Sequence, residues 1–302
     1  MELEFKKIKA ITKIVKETKV VNFSVKKNEN YFANGVLTHN CYMKRHKPEG
    51  LTVATNTMDI LTEINSHAFF ADVEKPNQTH PEFITYDISC NEDFALHAKY
   101  HEWEFIFDYF RKSHAAMGSF ATKYVNKKLL SFNPEGKIRI RFSLMPQIYS
   151  DQLEQNTSTI EERLSAVHLF KEAGYDVHLN FSPVIVNKNW LSYYQDLFLK
   201  VDEYAKLNGW NNDSVKAEVI FLTHNADKHQ YNLQNNLPGE DLLWIPNVQE
   251  SKQSQYGGKN IRYKHQLKAK WIKEFTELHN SIIPWNTIRY CFTFLLLLSS
   301  AI

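Results

Sequence analysis

The chain contains few of the residues that build disulfide-rich or low-complexity proteins. Its 302 residues include three cysteines, nine glycines and nine prolines. Three cysteines cannot form a disulfide framework, so we expect a reducing compartment such as the cytoplasm. The low glycine and proline content excludes collagen-like and low-complexity arrays. The apolar fraction of 43% is enough for a packed core, which excludes a disordered chain.

Net charge and long apolar runs are also scarce. The formal charge of +2 does not by itself indicate a nucleic-acid partner. Residues 1–20 are charged and lack a long apolar core, so we expect no secretory signal. The longest apolar run, residues 291–302, is shorter than the roughly 20 residues of a membrane span. We therefore predict no membrane partner.

The first 40 residues differ from the rest of the chain. They contain eight lysines and four glutamates, which gives them a net charge of +4 and leaves −2 for residues 41–302. Short strands are predicted at 20–25, 31–33 and 36–38, and Asn34-Gly35 is a typical hairpin turn between the last two. So few apolar residues cannot stabilise a core alone, so this segment needs a partner chain or must dock on the rest of the chain. We predict two domains, residues 1–40 and 41–302.

The second domain alternates strands with helices, which predicts an α/β fold with a parallel sheet. Predicted strands are 82–89, 117–122, 138–144, 176–184 and 215–222, and predicted helices are 55–67, 94–113, 159–173, 190–208 and 265–280. The first element after the leader is a helix with no strand before it. We therefore predict a partial (βα) barrel that lacks its first strand.

Polar or reactive residues follow each predicted strand. In a parallel (βα) array the carboxyl ends of the strands meet on one side, which is where chemistry gathers. The residues at these ends are Cys90, Lys123, Ser143, Ser182-Pro183 and Thr223-His224. Together they predict a single site at that edge of the sheet.

The junction between the two domains carries a reactive sequence, His39-Asn40-Cys41. The amide of Asn40 can attack its own backbone carbonyl and cut the chain, and His39 can donate a proton to the leaving amine. Cys41 can accept an acyl group as a thioester, which then shifts to the new amine. The run 20–41, which ends in these residues, resembles the C-terminal end of an intein. This resemblance implies that residues 1–40 are an incomplete, Hint-type C-terminal intein fragment that binds an N-terminal intein piece.

A second resemblance covers roughly residues 41–290. The segment that starts with Cys41-Tyr42 resembles the end of the C-x3-C-x2-C motif of radical S-adenosylmethionine enzymes. The chain as a whole resembles the spore photoproduct lyase family. The segments that carry this resemblance are Tyr86-Asp87-Ile88-Ser89-Cys90, Ser119-Phe120-Ala121-Thr122-Lys123, Arg139-Ile140-Arg141-Phe142-Ser143, Glu154-Gln155-Asn156-Thr157-Ser158, Ala173-Gly174-Tyr175 and Ser182-Pro183-Val184-Ile185.

The family resemblance implies a role for each matching residue. Cys41 would be the third thiolate ligand of a [4Fe-4S] cluster, which in turn binds S-adenosyl-L-methionine. Cys90 matches the hydrogen-atom donor of the family, and Tyr42 matches a tyrosine of its radical relay. Lys123 and Ser143 match positions that contact the cofactor. The implied activity is that of a lyase that repairs a thymine photoproduct in DNA by hydrogen-atom abstraction.

The first two cysteines of the cluster motif are absent from this sequence. Cys90 and Cys291 cannot replace them, because the motif needs closely spaced ligands on one loop. We therefore predict an N-terminal partner chain that carries both cysteines and is joined to Cys41 by trans-splicing, so that both cofactors bind only after ligation. Two alternatives remain: an inactive gene fragment, and a continuous intein-containing gene of which Met1 is an internal start.

Overall fold

A computed structural model describes residues 31–33, 36–38, 56–70, 80–88, 93–253 and 259–291. Two of the predicted site residues, Lys123 and Ser143, lie inside these ranges. The other five lie outside the described residues, and they are His39, Asn40, Cys41, Tyr42 and Cys90. The apolar run after Cys291 also lies outside them.

Strands are numbered in chain order. They are β1 (Tyr31–Ala33), β2 (Val36–Thr38), β3 (Ile84–Asp87), β4 (Ala116–Thr122), β5 (Ile138–Leu144), β6 (Asp176–Val184), β7 (Lys216–Phe221), β8 (Thr223–Asn225), β9 (Gln249–Gln253), β10 (Lys259–Tyr263) and β11 (Ile288–Cys291). The five strands predicted in the second domain are all confirmed, and their bounds agree within two residues.

Helices are numbered in the same way. They are α1 (Thr57–Phe70), α2 (Phe94–His97), α3 (Trp103–Lys112), α4 (Gln147–Leu153), α5 (Ile160–Glu172), α6 (Trp190–Leu207), α7 (Ala226–Gln234), α8 (Glu240–Leu243) and α9 (His265–Ile282). Short 3-10 turns cover Ala98–Tyr100 and Lys127–Ser131. Among the described residues, no helix is both long and apolar enough to cross a membrane.

The prediction of one helix over 94–113 is wrong. The chain forms α2, then the 3-10 turn, and starts α3 only at Trp103. His101 has an extended backbone with φ −108° and ψ 155°, which a continuous helix does not allow. By contrast, α5 begins close to the predicted position, with a capping box between Thr159 and Glu162. This helix ends before Gly174, whose φ of +92° favours glycine.

The main sheet of the described residues has six strands in the order β11-β7-β6-β5-β4-β3, and all neighbours are parallel. Its two faces differ in polarity, most clearly along β5. Ile138, Ile140, Phe142 and Leu144 join the apolar core under the helices. The alternate residues of β5, Arg139, Arg141 and Ser143, belong to the opposite face and are also buried. The sheet therefore has one apolar face and one polar face.

Two smaller sheets complete the described structure. Strands β1 and β2 pair antiparallel with Phe32 opposite Leu37, so the predicted hairpin is confirmed as a hairpin. This pairing does not test the intein assignment, because two-stranded hairpins occur in many proteins. Strands β8, β10 and β9 form an antiparallel sheet.

Candidate functional site

Ser143 lies near the carboxyl end of β5, directly opposite Asn180 of β6. The amide Nδ2 of Asn180 donates to the hydroxyl Oγ of Ser143 at 3.4 Å, and both residues are buried. The carbonyl Oδ1 of Asn180 has no hydrogen-bond partner in the part of the chain that the structure describes. A buried acceptor without a donor costs free energy unless a ligand or water supplies one. This pair is therefore a candidate ligand-binding position.

Lys123 follows the last residue of β4, at the same edge of the sheet. Its ammonium Nζ lies 3.9 Å from Oε1 of Glu154, and the lysine side chain is 20% exposed. The Glu154 carboxylate is buried and forms an ion pair with Arg163, Nη2 to Oε2, at 2.7 Å. Nη1 of Arg163 donates at 2.7 Å to the backbone carbonyl of Ser143. The two predicted cofactor-contacting residues are thus joined by a Glu154–Arg163 pair.

The segment 154–158 fixes this arrangement from the backbone side. The amide of Ser158 donates to the carbonyl of Lys123 at 3.0 Å, and its hydroxyl accepts from the amide of Val125 at 3.0 Å. Nε of Arg163 donates to the Ser158 carbonyl at 3.0 Å. The ends of β4 and β5 are therefore held together by one short segment. The sequence resemblance included this segment, but sequence reasoning missed the role of Arg163 because it lies inside a helix.

Cys90 lies outside the described residues, but the residues on both sides of it are fixed to β4. The amide of Ile88 donates to the Ser119 carbonyl at 2.7 Å. The Asp93 carboxylate accepts from the Thr122 hydroxyl at 2.7 Å and from the Lys123 amide at 2.7 Å. It also caps α2 by accepting from the amide of Leu96. The described residues on both sides of positions 89–92 are therefore bonded to β4.

Charged residues fill the rest of the polar face. Arg141 forms ion pairs with Asp87 and, at 3.4 Å, with Glu218. Arg289 also pairs with Glu218. Burial alone would raise the pKa of Glu218, but the positive charges of Arg141 and Arg289 hold that pKa below its ordinary value. The polar face therefore carries a buried, ionised network. The alternation of arginine with apolar residues in β5 is the sequence pattern that indicates it.

The remaining predicted strand-end residues do not join this site as expected. Ser182-Pro183 lies within β6, which continues to Val184. His224 belongs to the small antiparallel sheet, where its Nε2 lies 2.9 Å from Oε1 of Glu240. Of the five strand ends predicted to form one site, the structure brings together those of Lys123 and Ser143. Asn180, which was not predicted, lies beside Ser143.

The fold is an α/β fold with a curled, parallel half-barrel sheet, and it matches solved structures of spore photoproduct lyase. One is described as that lyase complexed with dinucleoside spore photoproduct, and another as a double mutant with bound AdoMet and dinucleoside spore photoproduct. Each has a TM-score of 0.69 and 19% identity, and each match covers 83% of this chain and 72% of the solved chain.

The sequence profile of the family described as "Spore photoproduct lyase" matches residues 2–293. The spore photoproduct lyase of Bacillus subtilis (strain 168) is 26% identical over 269 residues, which is 86% of this chain and 74% of the relative. That of Clostridium acetobutylicum is 25% identical over 260 residues, 83% of this chain and 71% of the relative. The chain belongs to the spore photoproduct lyase family. The match also includes the leader, which the resemblance over 41–290 did not.

Proposed function

We propose that this chain supplies most of a lyase that repairs spore photoproduct in DNA with S-adenosyl-L-methionine. Family membership supports this proposal, as do the relatives whose names state that activity. The observation that carries it is the carboxyl edge of the sheet, where the unpartnered Oδ1 of Asn180 lies beside Ser143. DNA is the proposed substrate, and a reducing cytoplasm is the proposed location.

The residues of this edge fit S-adenosyl-L-methionine chemically. The cofactor carries an ammonium, a carboxylate and ribose hydroxyls. The Asn180 carbonyl offers an acceptor for a hydroxyl or ammonium, while Ser143 and Lys123 offer donors for hydroxyl or carboxylate oxygens. When bound and reduced, the cofactor supplies the radical chemistry for hydrogen-atom abstraction. The Glu154–Arg163 pair positions Lys123 and Ser143 for this role.

The donor set of this chain does not fit a [4Fe-4S] cluster by itself. Such clusters are held by closely spaced thiolates, and this sequence offers only Cys41 in the motif. We assign Cys41 as one ligand and expect a partner chain to supply the other two. The position of strand β3 supports this assignment. Among the described residues β3 is an edge strand of the main sheet, so a strand from the partner chain could pair with its outer side.

Cys90 and Tyr42 are assigned to the return of a hydrogen atom. The Cys90 thiol gives its S–H hydrogen atom to the substrate radical and becomes a thiyl radical. The Tyr42 phenol restores the thiol by giving its O–H hydrogen atom and becomes a phenoxyl radical. The described residues on either side of Cys90, Ile88 and Asp93, bond to β4, the strand that Lys123 follows, which supports the assignment of Cys90.

Completion of the enzyme by trans-splicing is the second part of the proposal. Asn40 cyclises and releases residues 1–40, His39 protonates the leaving amine, and Cys41 becomes the first residue after the new peptide bond. The motif at 39–41 and the break in the cluster motif at Cys41 support this step. The competing hypothesis is that residues 1–40 belong to the lyase, which the family match from residue 2 favours.

Intact mass spectrometry tests the splicing proposal. The chain is expressed with and without an N-terminal intein and extein chain that carries the first two cluster cysteines. We expect a ligated product without residues 1–40 only in the co-expression. An unprocessed 35.5 kDa chain in both samples would reject trans-splicing and favour the competing hypothesis or an inactive fragment.

Turnover of dinucleoside spore photoproduct tests the lyase proposal separately. The ligated protein is reconstituted with iron, sulfide, S-adenosyl-L-methionine and a reductant, and thymine-containing products are quantified by chromatography. We expect product formation that depends on all four additions. A ligated, cluster-containing protein that leaves the dinucleoside unchanged would reject the substrate assignment while leaving the splicing result intact.

A further inference from the structure

Three potential metal ligands converge outside the lyase site. They are His224 on β8, His229 on α7 and Glu240 on α8. Their ligand atoms all lie within 4.8 Å of one another. Oε1 of Glu240 is 2.9 Å from Nε2 of His224 and 2.5 Å from Nδ1 of His229. Among the described residues this is the one group of three such side chains.

The three residues lie within 17 consecutive positions of the sequence, and the local fold brings their side chains together. The side chain of Asn225 caps α7 by accepting from the amides of Asp227 and Lys228, which directs the chain from β8 into the helix. Gly239, with φ +80°, starts α8 and turns the chain back. These two turns bring Glu240 against both histidines.

A second layer of contacts orients the three side chains. Nδ2 of the buried Asn232 donates at 2.6 Å to Oε2 of Glu240, which leaves Oε1 for the two imidazoles. The ring of Trp244 stacks on His229 with centroids 4.0 Å apart and an interplanar angle of 7°. Metal ligands in proteins are commonly oriented by such outer contacts.

The chemistry of the cluster also suits a cation. The side chain of Glu240 is buried, with 7% of its surface exposed, and Oε1 faces both histidines. A buried carboxylate with two imidazole nitrogens at one of its oxygens has the ligand types of zinc sites.

We propose that His224, His229 and Glu240 form a binding site for a transition-metal dication, with Zn²⁺ the best match. Two nitrogen ligands and one carboxylate favour zinc over calcium or magnesium, which prefer oxygen ligands. Each imidazole would bind the metal through the lone pair of the nitrogen that faces Glu240, and would carry its proton on the other ring nitrogen. Three protein ligands leave a fourth position for water. His229 is only partly buried, which gives the ion a route from solvent.

The bound ion would stabilise the small antiparallel sheet. His224 pairs with Ile261 of β10, and Asn225 Nδ2 donates to Oδ1 of Asn260 at 2.8 Å. Metal binding to His224 would therefore couple β10, and through it β9, to helices α7 and α8. This role is independent of the lyase reaction and of splicing.

Cobalt substitution tests the site in the full chain. The protein is stripped with a chelator and titrated with Co²⁺ while absorption is recorded. We expect saturation at about one equivalent, with visible ligand-field bands and no sulfur-to-cobalt charge-transfer band. Zn²⁺ should displace the cobalt and raise the melting temperature. Absence of the visible bands, or bands accompanied by sulfur charge transfer, would overturn the proposal, since the latter places the ion on cysteines.

Variants assign the signal to named residues. His229→Ala should abolish the bands, and Asn232→Ala should weaken cobalt binding by about 10- to 100-fold. His114→Ala, which changes an exposed histidine elsewhere, is the matched control and should bind like the wild type. Circular dichroism checks that each variant is folded. We expect His229→Ala to fold, because His229 is only partly buried. Unchanged binding by a folded His229→Ala protein would reject the assignment.

Discussion

Arg163 donates from Nη1 to the backbone carbonyl of Ser143 at 2.7 Å while its Nη2 pairs with Glu154 at 2.7 Å. Its side chain is fully buried. One guanidinium thus connects the end of β5 to the carboxylate beside Lys123. A planar group with five donors suits such bridging better than an ammonium does.

Arg163→Ala should lower the free energy of unfolding by about 3–5 kcal/mol, because it leaves the Glu154 charge buried without its main partner. The pair of the exposed Lys206 with Asp202 provides the control, and Lys206→Ala should cost only about 0.3–0.5 kcal/mol. Urea unfolding followed by circular dichroism measures both. Equal losses for the two variants would contradict the role of Arg163.

Stability should fall as the pH drops from about 7.5 to 5.5. Burial lowers the pKa of His178 and of His279, so the unfolded chain binds protons on these residues before the folded chain does. The stability they contribute is present above the unfolded pKa and is lost as the pH falls from the unfolded pKa through the lower folded pKa. Each such histidine gives a slope of at most about 1.4 kcal/mol per pH unit. Acids whose pKa is lowered in the folded chain, such as Glu218, change the stability only at lower pH, where they take up protons.

His279→Gln should remove one histidine's share of that slope. His279 lies on α9, where its Nε2 is 3.0 Å from Oδ1 of Asn286. His265, exposed at the start of the same helix, is the matched control. Unfolding free energies at several pH values should show a shallower slope for His279→Gln and the wild-type slope for His265→Gln. Identical slopes for all three proteins would refute the prediction.

Gly118→Ala should destabilise the chain by about 1–3 kcal/mol. A Cβ at this position of β4 would lie 2.6 Å from Cδ1 of Ile88 and 2.9 Å from Cδ2 of Phe110. Ile88→Val removes the nearest of these atoms, so the double variant should recover part of the loss. A thermodynamic cycle of the three variants measures this coupling, and simple additivity would argue against the close contact.

Asn180→Leu should weaken S-adenosyl-L-methionine binding to the ligated protein by about tenfold, the effect of one hydrogen bond in a buried site. Equilibrium dialysis with labelled cofactor measures the dissociation constant. Asn235→Leu, at an exposed position on the end of α7, is the control and should bind normally. If both variants bound the cofactor with equal affinity, the proposed contact between Asn180 and the cofactor would be rejected.

Three substitutions separate splicing from turnover. Asn40→Ala should stop cleavage after residue 40, and Cys41→Ala should stop both ligation and cluster assembly. Cys90→Ala should leave splicing and the cluster intact but stop clean repair of the dinucleoside. Mass spectrometry, iron analysis and product chromatography follow the three steps. A Cys90→Ala protein with full activity and unchanged products would remove Cys90 from the hydrogen-donor role.

Local patterns predicted the main sheet well. The alternation in β5 and the capping box at Thr159 are set by neighbouring residues, so the sequence contains their full signal. The split between α2 and α3 was missed because helix-forming residues continue through His101, whose extended backbone is a tertiary effect. Arg163, which lies inside a helix, and Asn180 were missed because their contacts with Ser143 span 20 and 37 positions of the sequence. Family resemblance identified Lys123 and Ser143, which periodicity alone did not distinguish from other strand ends.

Asp93 belongs to a helix and holds a strand at the same time. Its Oδ1 accepts from the Leu96 amide, which caps α2, and from the Thr122 hydroxyl, while its Oδ2 accepts from the Lys123 amide at the end of β4. Both carboxylate oxygens are therefore in use. A substitution at position 93 would loosen the start of α2 and the end of β4 together, so the two elements cannot change independently at this point.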